Sequence, residues 1–190
     1  YYYHVKIEID VSPSANVVVH TLRPNAAGDL TELSPSSGSN YATVDEETAN
    51  DDTDYVQLNA DSAWKQDLYQ LPTASAANVM WVAIMARVNP KTTYATWRYR
   101  AQIKTHSTVY YLQEDLHPFG VSYQNHWMVW RLNPNTGAQW TQAEIDDLQA
   151  GVALFGTTAY PSRCTQVYVQ VANVVYPQGC GPQIIGLRRR

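Results

Sequence analysis

NPNTGAQWTQAEIDDLQAGVAL, residues 133–154, is the one segment of this chain with a complete helix signature, and its solitude decides the fold class. Thr141 stands where an N-cap belongs, and Glu144 falls three residues later, the spacing of a reciprocal capping box. Trp140 before the cap and Ile145 after it make the matching hydrophobic staple. Ile145 and Leu148 share one helical face, Asp146 and Asp147 point elsewhere, and Gly151 is the expected left-handed stop. The spacing predicts a helix near 142–149, too short to stand alone in water. It must be held by packing Trp140, Ile145 and Leu148 onto something larger, as a plug on the end of a β-sandwich.

Outward from that segment the chain reads as strands. Residues 79–88, VMWVAIMARV, are the most apolar run and belong in the middle of a sheet. In residues 94–105, YATWRYRAQIKT, Trp97, Tyr99, Ala101 and Ile103 alternate with Arg98, Arg100, Gln102 and Lys104. Residues 17–22, 55–58, 64–71, 108–112, 123–132, 151–155 and 165–171 add further short strands. In residues 123–132, Trp127 and Val129 are expected inward and Trp130 on the opposite side. Residues 23–40, rich in Pro, Gly, Ser and Asn, read as a loop. Many short strands, one short helix and no βαβ alternation predict an all-β, antiparallel β-sandwich or jelly roll. The expected organisation is an N-terminal strand or arm over 1–16, the sandwich over 17–175 and a tail over 176–190.

The arm carries its own signal. In residues 5–11, VKIEIDV, Val5, Ile7 and Ile9 occupy one face and Lys6, Glu8 and Asp10 the other. Such a strand pairs with its own sheet or with a neighbour's edge, so Val5, Ile7 and Ile9 are the candidate assembly residues.

Composition narrows the function. The 190 residues are 45% hydrophobic but only 16% charged, and 14 Tyr and 6 Trp stand against 2 Phe. Tyr and Trp suit half-wet surfaces and interfaces. A formal net charge of −4 gives no electrostatic reason to expect nucleic acid, and no apolar run approaches membrane-spanning length. No nucleophile elbow, phosphate-cradling glycine loop or metalloprotease motif occurs. The five histidines are scattered, and Cys164 and Cys180 lie outside any metal-binding spacing. The expectation is therefore a protein that is not an enzyme and carries no organic cofactor.

Two further sites are open in the sequence. Residues 45–54, DEETANDDTD, hold six carboxylates; Asp45, Glu46, Asp51, Asp52 and Asp54 could ligate a hard cation such as calcium. The spacing does not fit an EF-hand, and a solvated turn is the plainer reading. Trp97, Tyr99 and Trp130, in a row with Tyr94 and Trp127, could stack on the sugar rings of a surface glycan, whereas strand aromatics more often form core.

Taken together, TLRPNAAGD (21–29), VDEETANDDTDYV (44–56), WKQDLYQLP (64–72), AQIKTHSTVY (101–110), the 133–154 segment and CTQVYVQV (164–171) form a recognisable series. Over residues 17–171 the chain resembles β-sandwich, jelly-roll-like modules of tailed-phage and prophage virion proteins and of related archaeal and bacterial surface proteins. That resemblance implies a non-enzymatic virion subunit, a capsid decoration (cement) or tail-surface protein, partnered by itself and other virion subunits. The alternative it leaves open is an extracellular filament or cell-surface layer joined by strand donation, or a carbohydrate-binding module.

Overall fold

Alternating apolar residues make strands only where a second strand covers them, and here the covering follows one rule. In a computed structural model of the chain, residues 15–90, 97–111 and 121–176 are described. Val5, Ile7, Ile9, Tyr94, Cys180 and the tail therefore lie outside the described residues. The strands are β1 (Asn16–Leu22), β2 (Ala26–Thr31), β3 (Ser34–Pro35), β4 (Val56–Gln57), β5 (Lys65–Gln70) and β6 (Val79–Asn89). After them come β7 (Arg98–Thr105), β8 (Thr108–Tyr110), β9 (Gln124–Trp130), the helix α1 (Gln142–Asp146), β10 (Gln149–Phe155) and β11 (Arg163–Val175).

From β4 to β11 the chain is one long antiparallel hairpin rolled on itself. β4 pairs with β11, β5 with β10, β6 with β9 and β7 with β8. Rolling brings β11 against β6 and β10 against β7, which gives two sheets, β3-β4-β11-β6-β9 with β1 also on β11, and β2-β5-β10-β7-β8. This is the winding of a jelly roll. The first is called sheet A below and the second sheet B. Between them lies the core: Val82, Ile84, Ala86 and Val88 of β6 with Val167, Val169 and Val171 of β11 face Tyr99, Ala101, Ile103, Ala150, Val152 and Leu154 of β7 and β10.

α1 closes one end as the sequence requires, in a shortened form. The Glu144 backbone N–H donates to Thr141 Oγ1 at 3.3 Å, and the Thr141 N–H donates to Glu144 Oε2 at 2.7 Å, so both halves of the capping box exist. Trp140, Ile145 and Leu148 are all buried. The helix nonetheless ends at Asp146 rather than at 149, because Gln149 already pairs with Gln70 on one side and Lys104 on the other. Two sheet ladders outweigh one further turn of an unsupported helix. Gly151 is accordingly not a helix stop. It sits in mid-strand opposite Leu68, where a Cβ would lie 1.8 Å from the Asp67 carbonyl oxygen.

Three other expectations are corrected. Residues 23–40 are not all loop: β2 lies on β5 and β3 on β4, held by their ladders although neither is rich in β-branched residues. β9 has the opposite phase to that expected, with Met128 and Trp130 buried and Trp127 and Val129 exposed. Both faces of that strand are apolar, so alternation alone could not choose between them. Trp97, Tyr99 and Trp130 are buried in the core, so they form no exposed aromatic row and cannot reach a glycan.

Candidate functional site

One carboxylate that drew no notice in the sequence fixes the corner where β2 and β3 leave sheet B. Asp67 is fully buried, on the inward side of β5 together with Tyr69. Its Oδ1 accepts the backbone N–H groups of Glu32 at 2.8 Å and Leu33 at 2.9 Å. Its Oδ2 accepts from Asn40 Nδ2 at 2.6 Å and from the Tyr69 hydroxyl at 3.0 Å. Four donors satisfy the charge, and no acceptor site faces a cavity; the role is structural. A lone acidic residue at an inward strand position was the signal available for it. Nearby Cys164 is fully buried, and burial pushes its thiol up to about 12, far from a reactive thiolate.

The acidic segment is spread across sheet A's outer side instead of gathered around a cation. Arg87 binds Asp51 through Nε at 2.7 Å and Nη2 at 2.9 Å, in fork geometry. Arg163 Nη1 reaches Asp52 at 2.9 Å, and the Tyr123 hydroxyl donates to the Asp51 carbonyl and to Asp52. Asp54 accepts from Asn50, and its carbonyl from Thr165. Gln166 Nε2 donates to the carbonyls of Glu46 and Glu47, which also receive Arg23. Among the described residues no three His, Cys, Asp or Glu side chains converge as a metal ion would require. Burial raises the Glu46 carboxyl above its ordinary value, with Asp45 and Asp54 adding repulsion. Arg87 and Arg163 pair with two of the six carboxylates, and the segment is clasped to the sheet.

The clasp covers only part of that outer side. Residues directly opposed in antiparallel strands share a face, so the pairings lay the outer side out in rows. Asn125, Arg87 and Gln166 form the row beneath the acidic segment. Next come Trp127, Met85 and Tyr168, then Val129, Ala83, Gln170 and Thr21, then Trp81, Ala172 and Val19. Trp127 meets Tyr168 edge to face over Met85, with ring centroids 5.4 Å apart, and Arg23 stacks on Tyr168 at 5.1 Å. Away from the acidic segment the edges of this face lie open. Val17 is 58% exposed, Val19 47%, Trp127 47% and Val129 46%, while Ala83, Met85 and Ala172 between them are closed over. A sandwich's outer side is ordinarily polar. Here an apolar band runs from β1 across β11 and β6 to β9, with arginine and aromatic residues at one rim.

A polar groove of about 310 Å³ lies at the α1 end, lined by Lys104, Thr105, His106, Asp146 and Asp147 among others. Lys104 meets Asp29, His106 Nε2 lies 3.5 Å from Glu144, and Asp146 accepts from Gln142. Thr105 Oγ1 lies 3.1 Å from His106 Nδ1 but also takes a hydrogen bond from Asn133. Among the described residues no helix is long and apolar enough to cross a membrane. Neither a protein-family model nor a curated protein sequence matches the chain.

Proposed function

We propose that this chain is a non-enzymatic structural subunit that packs against copies of itself and neighbouring subunits through the open outer face of sheet A. In the virion setting that its sequence resembles, such a subunit is a capsid decoration or tail-surface protein, located in the virion. The apolar band bearing Val17, Val19, Trp127 and Val129 carries the reading. Apolar surface exposed on β1 and β9, with Trp81 and Tyr168 half-buried between them and arginine at the rim, is the composition of a contact surface. The fold itself is neutral, since jelly rolls serve capsids, lectins and enzymes alike.

The experiment is light scattering of the full chain over a wide concentration range, beside the variant Val129→Glu. A carboxylate buried against apolar surface should weaken self-association by roughly tenfold or more, about 1.4 kcal/mol or above. The melting temperature should hardly move, because Val129 points away from the core. A wild-type chain that stays monomeric at every concentration, or a variant that associates equally well, would refute the reading. A filament or surface-layer subunit would show the same association; electron microscopy of the assembled state separates open filaments from closed shells.

A further inference from the structure

We propose that the free edge of β1 takes a strand from a second copy of this chain, and that the strand is residues 5–11, VKIEIDV. This rests on the self-assembling reading above and names its donor and acceptor. Among the described residues β1 pairs with β11 alone, so its other side presents a row of backbone N–H and C=O groups. Proteins protect such an edge with lysine, proline, a bulge or a very short strand. β1, NVVVHTL, has none of these: seven residues, uncharged apart from a histidine, in unbroken register with β11. Val17, Val18 and Val19 are all exposed on it. An undefended β-branched edge is a template for a strand.

The donor fits in length and in phase. Residues 5–11 match the seven residues of β1. Full antiparallel overlap pairs Val5 with Leu22, Ile7 with His20, Ile9 with Val18 and Val11 with Asn16. Leu22 belongs to the core cluster, so its row faces the sandwich, and the donor's four apolar residues join that row. Lys6, Glu8 and Asp10 then fall opposite Thr21, Val19 and Val17 on the outer face, adding a charged rim to the apolar band. A slip of one residue would turn those charges inward, so the register is specified.

The linker directs the donor to a neighbour. Folding back onto its own β1 in this register would place a tight turn at Ser12-Pro13-Ser14-Ala15. The favoured two-residue hairpin turns need a positive φ at the first central position, here Pro13, whose ring holds φ at about −65°. Proline also drives the residue before it, Ser12, toward extended backbone. The favoured tight hairpin turns are thus disfavoured at this linker, which is why we give residues 5–11 to a neighbour's β1.

Single-cysteine variants test this in the full chain with Cys180→Ser as background; Cys164 is buried. Ile9→Cys and Val18→Cys chains are made separately, mixed and gently oxidised. The expected product is a mixed disulfide dimer, absent when Lys6→Cys replaces Ile9→Cys. The proposal is overturned if no mixed dimer forms, including the case where a chain carrying both Ile9→Cys and Val18→Cys closes on itself. Light scattering of the same samples keeps the two readings apart. Association that persists and still responds to Val129→Glu, without the crosslink, removes the donor strand and leaves the contact face. A chain that is monomeric throughout removes both.

Discussion

Replacing Asp67 with alanine should unfold most of what holds the β2–β5 corner. The substitution takes one acceptor group from four donors; the Glu32 N–H keeps the Gln66 carbonyl and the Asn40 amide keeps the Leu33 carbonyl, so the Leu33 N–H and the Tyr69 hydroxyl are the two left bare. A buried donor left unpaired costs about 1–3 kcal/mol. Two such donors give about 2–6 kcal/mol on that scale, toward the lower end where water enters the vacated space. That is a large share of a total stability of about 5–15 kcal/mol. Asp67→Asn is the milder probe, because its amide oxygen keeps the two backbone bonds while its NH₂ meets two donors. The Tyr69 hydroxyl can turn to accept from that NH₂, so the cost should be about 1–3 kcal/mol, the penalty of the one remaining mismatch with Asn40. Urea unfolding gives the free energies, and hydrogen exchange locates the damage, with Glu32 and Leu33 losing protection before the β6 and β11 amides. If Asp67→Ala lies within about 1 kcal/mol of wild type, the carboxylate is not the support described, since two bare donors cannot cost so little.

Leu148→Ala should lower stability by about 2–5 kcal/mol, the range for a large-to-small change at a buried site, and a thermal melt checks it. An unchanged melting temperature would mean that the α1 end is not packed as described. His126 predicts a pH dependence. Burial lowers its pKa, the Tyr99 hydroxyl meets its Nδ1, and its Nε2 is buried with no hydrogen-bond partner. The unfolded chain therefore takes up a proton that the folded one resists, so this contribution is intact above about pH 6.5 and falls away below it. His126→Gln should flatten that part of a melting-temperature profile between about pH 7 and 5; an equal slope in both proteins would exclude His126 as its source.

What could be read in advance, and what could not, divides by the range of the interaction. The α1 cap was legible because every member, Trp140, Thr141, Glu144 and Ile145, lies within one turn, and local geometry dictates their contacts. β7 was legible because its two faces differ in kind, arginines against apolar residues. β9 was not, since Trp127 and Val129 are as apolar as Met128 and Trp130, and only the pairing with β6 tells which pair meets the core. The end of α1 was equally a tertiary matter. Gln149 is a good helix former, but it has two strands waiting for it.

The acidic segment shows the same division in charge. Six carboxylates in residues 45–54 are consistent with a cation or with solvent until their partners are known. Arg87 on β6 and Arg163 on β11 take the Asp51 and Asp52 carboxylates, and Arg23 just after β1 takes the backbone carbonyls of Glu46 and Glu47, so the partners come from three separated places in the chain. Their meeting on one side of sheet A is what holds the acidic segment there. Acids and bases are spent on each other over one part of that face, and the rest is left to valine and tryptophan. A free-standing sandwich would gain solubility by spreading those charges evenly. Concentrating them beside Tyr168 and leaving Val17, Val19 and Val129 bare is economical only if something else covers the apolar part.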